Sequence, residues 1–450
     1  MKALFRPVPR TGLLIWMGVL GCTTLALLLP ALWNGYPLFF YDSGDYIDSA
    51  FSFTPKVWRT LPYGLFLAVA QVRLSPWLPV TVQSLILAYL LWELVLSFAP
   101  QRPLTTMAVI VAVLTLGTGL PWFASQIMPD AFTGAMVLGL ALLAFTTPAR
   151  PRLALIALLT VIAICAHASH LGTAIALAVT LAAMALFGQH ERPRVWLPAV
   201  VVLAGLLATP LTHRLFTGEF YLSHSAPIMA LGRLIQDGEA QIYLRRVCPQ
   251  AAYSLCPYVD ELHAGEHGAN DFLWGQSSPF YKVNGWEHWQ RFAPEARAIV
   301  IGTLRTRPLE NLRAAFYSCL RQFTTFGTGS GLVPGLWEAT NVQLAYFPDQ
   351  GPSYLAARQY SGFDLSALSQ LHVVVLSLFM LGGLVLALTP LGPGGHMRKL
   401  LLFLVVAALT NAAVTAVFST PDDRYQARLV WLFVPVVLLA LGTSHPRRPL

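Results

Sequence analysis

The chain has 450 residues, 56% of them hydrophobic and only 11% charged, with a formal net charge of +8. Soluble domains carry roughly 25% charged residues, so the composition excludes an ordinary soluble enzyme. Basic residues retained on one side of a membrane explain the positive balance without a nucleic-acid partner. The same composition predicts an all-α polytopic membrane protein.

In chain order, apolar spans are expected at 11–33, 76–99, 104–121, 130–147, 153–166, 171–188, 195–215, 366–390, 400–418 and 429–443, about ten in all. The first is too long for the core of a cleavable signal, lacks a small-residue cleavage pattern, and reads as a retained span. Basic residues fall on alternate connections: Lys2, Arg6 and Arg10, then Arg102, Arg150 with Arg152, Arg192 with Arg194, Arg398 with Lys399, and Arg447 with Arg448. They assign that side, and both termini, to the cytoplasm of a bacterial inner membrane. The expected organisation is a transmembrane module over 1–215 with a first outer loop at 34–75, an external periplasmic subdomain of mixed structure over 216–365, and carboxy-terminal transmembrane helices over 366–450.

Two stretches read as interfacial helices. LPYGLFLAVAQVRL, in the first outer loop, is too short and too broken by Pro62 and Gly64 to span. Further on, Leu309, Leu312, Phe316, Leu320 and Phe323 recur at helical spacing among Arg305, Arg307, Arg313 and Arg321, the pattern of a basic amphipathic helix. Cys248 and Cys256 flank a short polar stretch on the outer side and are a candidate disulfide.

Acids gather on the outer face. The stretch YDSGDYIDSA places Asp42, Asp45 and Asp48 directly after the first span. A helix cap at Asp42 or Ser43 accounts for one carboxylate and leaves the others unexplained. QIMPDAFTGAM sets Asp130 at the outer mouth of an apolar span, where an acid is a functional candidate or a helix cap after Pro129. His167 and His170 in CAHASHLG are cavity candidates or the polar lining of a tight turn.

The first-loop motif resembles that of the polyprenyl-phosphate-dependent GT-C glycosyltransferases, the mannosyl- and aminoarabinosyl-transferase-like superfamily. That motif runs Asp-Glu-x-x-Tyr-x-x-x-Ala; Asp42, Tyr46 and Ala50 fall in register, and Ser43 stands where the second acid would be. Arg59-Thr60-Leu61-Pro62 is similar to the family's lead into an interfacial helix, Pro129-Asp130 to its second outer loop, and the DDRY of TPDDRYQAR to a basic-aromatic element before a late span. The resemblance covers roughly the first 190 residues. It implies sugar transfer from a polyprenyl-phosphate-linked donor to a lipid, glycan or protein acceptor, with Asp42, or else Asp45, as general base and Tyr46 in the cavity. The leaving phosphate needs cations: Arg59, Arg233, Arg424 and Arg428 are the candidates, or a divalent metal (Mg or Mn) held by Asp45 and Asp130. Pairing of Arg424 and Arg428 with Asp422 and Asp423 is the alternative for that loop. A transporter or flippase of a lipid-linked or anionic substrate, and a non-catalytic envelope assembly protein, are the rival readings.

Overall fold

A backbone that crosses lipid must satisfy its own hydrogen bonds, which favours helices. The computed structural model describes residues 10–188, 191–248, 250–285 and 289–443. Lys2, Arg6, Arg447 and Arg448, which carry the expected placement of the termini, lie outside the described residues. Among those described there are many helices, no strand, and an isolated parallel bridge between Leu38 and Gln126.

The first span is α1 (Arg10–Leu27) and, beyond a break at Leu28, α2 (Leu29–Asn34), with Pro30 in its first turn. The first outer loop carries α3 (Ser43–Ser52) and α4 (Leu61–Val69). Then follow α5 (Trp77–Phe98), α6 (Pro103–Gly117), α7 (Leu120–Ala124), α8 (Ala131–Phe145), α9 (Arg150–Cys165), α10 (Ala168–Phe187) and α11 (Trp196–Thr217). The external segment holds α12 (Ala226–Gln236), α13 (Glu239–Val247), a 3₁₀ turn (Cys256–Glu261), α14 (Gly268–Trp274), α15 (Pro279–Asn284), α16 (Trp289–Thr306), α17 (Pro308–Thr324), α18 (Trp337–Tyr346), α19 (Gly351–Leu355) and α20 (Arg358–Ser361). The chain returns through α21 (Ser366–Leu388), α22 (Gly395–Phe418), α23 (Asp423–Val430) and α24 (Phe433–Thr443).

Among the described residues six stretches are long and apolar enough to cross a membrane: α5, α10, α11, α21, α22 and the run Asp423–Gly442 through α23 and α24. Gly12–Leu27, α6 and α8 are apolar but shorter, and the 16-residue α9 occupies the remaining expected span. The shortening has local causes, since Thr118 ends α6 in an extended conformation and Pro121 restarts the chain in α7. Lipid-facing walls are visible as outward stripes at helical spacing: Val200, Leu203, Leu207, Leu211 and Leu215 on α11, and Leu371, Val374, Leu378 and Leu381 on α21, are all exposed.

By contrast, all 15 residues of α8 are buried, so it is the centre of the bundle. Its neighbours approach through glycines. A Cβ on Gly134 would lie 2.4 Å from the Trp431 ring, and one on Gly139 would lie 2.1 Å from the Thr160 hydroxyl.

The external segment departs from expectation in two ways. Its regular elements are all helical among the described residues rather than mixed, and several of its prolines, as at α12, α15 and α17, sit in first turns, where they start helices instead of ending them. It also divides. Ile228, Leu231, Phe272, Phe280, Trp289 and Phe292 belong to a small core of their own, whereas Phe326, Leu336, Phe347 and Tyr354 join the main core.

The expected basic amphipathic helix breaks at Arg307 into α16 and α17, and α17 is turned inside out. Asn311 and Gln322 are buried while Leu309, Leu312, Phe316 and Leu320 point outward, and α17 packs along α22. A polar inner face and an apolar outer one suit lipid on the outside.

Gly134→Val is expected to overpack the contact of α8 with Trp431, at about 1–3 kcal/mol. A lowered melting midpoint of the purified protein in detergent checks this, with Gly18→Val, where nothing lies within 4 Å of the added atom, as the neutral control.

A candidate phosphate-binding site at the outer rim

Two loops, one ahead of α3 and one ahead of α8, are tied together by backbone. The Leu38 N–H donates to the Ser125 carbonyl at 2.9 Å and the Ile127 N–H to the Leu38 carbonyl at 3.0 Å. Ser43 completes the joint: its hydroxyl donates to the Ile127 carbonyl at 2.9 Å and accepts from the Phe40 N–H at 2.8 Å. Ser43 is fully buried, so the position that resembles the family's second acid is a structural link with no room for a charge.

Asp42, Asp45 and Asp48 recur every three residues and share one face at the start of α3. They meet successive side chains of the strap between α3 and α4. Asp48 pairs with Lys56 at 2.8 Å and accepts from the Tyr346 hydroxyl at 2.6 Å. Asp45 accepts from the Trp58 indole at 2.7 Å, and Asp42 pairs with Arg59. Neither Asp42 nor Asp130 caps a helix with its side chain, which removes the capping account of both.

The environments of the three acids differ. Burial pushes the Asp45 carboxyl up, against the Trp58 hydrogen bond and the nearby Arg59. At Asp48, burial pushes the same way, but the hydrogen bonds from Lys56 and Tyr346 prevail and hold it below the usual range.

Asp42 faces the centre of the cluster. Burial raises the Tyr46 hydroxyl, which lies in the fields of Arg59, Asp42, Asp130 and Arg424. Asp130, 1% exposed, accepts from Arg428 at 2.9 Å, and the Arg424 guanidinium stands 3.8 Å away. Arg428 also donates to the Ser169 hydroxyl at 3.2 Å. Arg424 lies 4.0 Å above the Phe40 ring, a desolvated cation–π contact.

Asp422 and Asp423 make no direct ion pair with these arginines, and Asp422 acts on Arg424 only from a distance. Asp422 accepts from the Ser330 hydroxyl at 2.8 Å and the Arg424 N–H at 2.9 Å, and Asp423 accepts from the Gly327 N–H at 2.5 Å.

Three guanidinium groups (Arg59, Arg424, Arg428) therefore face two directly paired carboxylates (Asp42, Asp130), with Asp45 and Asp422 acting on Arg59 and Arg424 from farther off. Each arginine keeps a buried nitrogen without a hydrogen-bond partner: Nε of Arg59, Nη1 of Arg424 and Nε of Arg428. Buried unpaired donors are destabilising, and on three converging cations they suit a polyanionic ligand such as phosphate.

The histidines have separate tasks. His170 is consumed by structure, with Nδ1 at 2.7 Å from the Ala163 carbonyl and Nε2 at 2.7 Å from the Thr133 hydroxyl. His167 accepts from the Ser169 N–H through Nδ1, which places its proton on Nε2, and it lies within the fields of Arg428, Arg59 and Arg424.

Other expected members stand apart. Arg233 is buried in the external body, paired with Asp237 at 2.7 Å and hydrogen-bonded to Ser318, because it sits on the inner face of α12. Asp45 and Asp130 share no site: Trp58 holds one and arginines hold the other. Among the described residues no group of three or more His, Cys, Asp or Glu side chains is arranged to hold a metal. Cys248 and Cys256 form a disulfide, with Cα atoms 5.4 Å apart.

Sequence reasoning missed Phe40, Thr133 and Ser169, which carry no distinguishing pattern. It also missed Glu93, an acid 1% exposed inside α5 and paired with Arg152 at 2.5 Å, which its charge within an apolar run signalled.

No protein-family model, curated protein sequence or solved structure matches the chain.

Asp130→Asn is expected to strand Arg428 in the core, at roughly 3–5 kcal/mol. The double variant Asp130→Asn/Arg428→Met should recover most of that, as read by melting in detergent. For Asp45 the raised folded-state value means a stability contribution present at low pH and lost as pH rises through it. Asp45→Asn, which keeps the acceptor for Trp58, should flatten that decline in a stability-versus-pH series.

Proposed function

We propose that the chain is a membrane glycosyltransferase of the GT-C type, moving a sugar from a polyprenyl-phosphate-linked donor to an acceptor at the outer face of the bacterial inner membrane. The observation that carries the reading is the convergence of Asp42, Asp130, Arg59, Arg424 and Arg428, with one unsatisfied buried nitrogen on each arginine. In support, the helix ends sort into two sets. The cluster draws on the ends where residues 42, 130 and 424 lie, while Arg102, Arg150 and Arg398 mark the opposite ends, as expected for a cytoplasmic side.

In the proposed mechanism the donor phosphate enters beside Arg424 and Arg428 and draws Arg59 away from Asp42. The released carboxylate takes the proton of the acceptor hydroxyl as that oxygen bonds to the anomeric carbon. The bond from that carbon to the phosphate oxygen breaks, and its electron pair leaves with the polyprenyl phosphate, whose added charge the guanidinium groups stabilise. Asp130 is a positioning residue, since its carboxylate is engaged by the two arginines and it keeps them extended in the core. The Nε2 proton of His167 is a further donor toward the phosphate. The lipid tail would run along the apolar outer side of α17, at Leu312, Phe316 and Leu320.

Asp42→Asn is expected to lower the turnover of transfer by roughly 10²–10⁴-fold with donor binding preserved, whereas Arg424→Met should raise the KM for the donor. Transfer assays with lipid-linked sugars in nanodiscs measure both. Undiminished transfer by Asp42→Asn would remove the mechanism.

A further inference from the structure

Asp45 and Trp58 take no part in the chemistry above, yet both lie beside it. Trp58 belongs to a strap of the first outer loop. With Val57 it packs against the separate core of the external body, its ring centroid 5.5 Å from Trp289 and 6.1 Å from Trp274. At the same time its indole N–H donates to Asp45 on α3 at 2.7 Å, and its carbonyl accepts from Arg59 Nη1 at 3.1 Å. The next side chain, Arg59, is the one that pairs with Asp42.

We infer that Trp58 is a positioning residue that couples the external body built on α12–α16 to the Arg59–Asp42 pair, so that movement of that body sets whether Arg59 holds Asp42 or is free for an anion. The inference rests on the reading of Arg59 as a phosphate ligand. Three contacts of one residue carry it: a ring in one core, a hydrogen bond to a helix of the other, and a carbonyl on the guanidinium between them. A side chain held at both ends transmits displacement, because its rotamer is fixed by packing and by a hydrogen bond at once. Asp45 supplies the second anchor, which accounts for an acid on α3 that neither caps the helix nor reaches the arginine pair of Asp130.

The test uses the full chain in nanodiscs with undecaprenyl phosphate as the probe, and the variants Trp58→Phe, Asp45→Ala, Asp45→Asn and Trp58→Phe/Asp45→Ala. Phenylalanine keeps the ring and loses the N–H; asparagine keeps an acceptor. Trp58→Phe and Asp45→Ala are each expected to change affinity for the probe about tenfold at an unchanged melting midpoint, and the double variant no further, because both remove one hydrogen bond. Asp45→Asn should stay within about twofold of the parent.

Parental affinity in both single variants, or a double variant equal to the sum of the two, overturns the coupling. If the parent chain binds no lipid phosphate, the glycosyltransferase reading fails, and amide exchange over residues 53–61 then decides the coupling alone. Faster exchange in Trp58→Phe, Asp45→Ala and Trp274→Leu, but not in Asp45→Asn, supports it, and unchanged exchange overturns it.

Discussion

A carboxylate and two guanidinium groups, Asp130 with Arg428 and Arg424, are held almost entirely out of water at one end of the bundle. Charges taken from water are strongly unfavourable unless they are paired and hydrogen-bonded, so this contact dictates what surrounds it. α23 must begin beside α8, Ser169 must offer its hydroxyl, and Phe40 must lie flat beneath Arg424. The glycines that let Trp431 and Thr160 approach α8 serve the same constraint, since α8 carries Asp130 at its start. The pairing leaves a buried nitrogen on each of Arg59, Arg424 and Arg428 without a partner, and those donors give the cluster its chemical character.

Much of the architecture was legible in the sequence because lipid imposes simple rules. Long apolar runs became helices. What hydropathy could not register was where local breaks fall, as at Leu28 and Thr118, or that α8 is surrounded by protein on every side while α11 and α21 present leucines outward. A window average has no direction. The apolar recurrence in α17 was read as the lipid-directed face of an interfacial helix, and Leu309, Leu312, Phe316 and Leu320 do point outward; what the period could not show was the break at Arg307 that separates α17 from α16.

The site was legible in its acids and less so in their partners. Asp42, Asp130, Arg424 and Arg428 stood out because ionised groups are rare in this chain and sit at span ends. Arg233 looked alike by that measure and proved to be an ordinary ion pair with Asp237. The three-residue spacing of Asp42, Asp45 and Asp48 was visible, but its meaning depended on a strap that runs back along the helix and supplies Lys56, Trp58 and Arg59 in order. Ser43 drew notice only as a departure from an acidic motif; its bond to the Ile127 carbonyl is a loop-to-loop contact that no local pattern announces.

Gln322 on the inner face of α17 exchanges two hydrogen bonds with the backbone of Asp422, 100 residues later: its Nε2 donates to that carbonyl and its Oε1 accepts from that N–H, each at 2.9 Å. During synthesis, α17 therefore emerges with a polar stripe whose partners do not yet exist. It can settle only after α22 and the segment following it have been inserted. The turn that follows α22 also brings Arg424 and Arg428 to Asp130, so closure of the α17 seam and neutralisation of the buried acid both wait on the same stretch of chain. Until then the nascent protein holds an uncompensated carboxylate and an open flank.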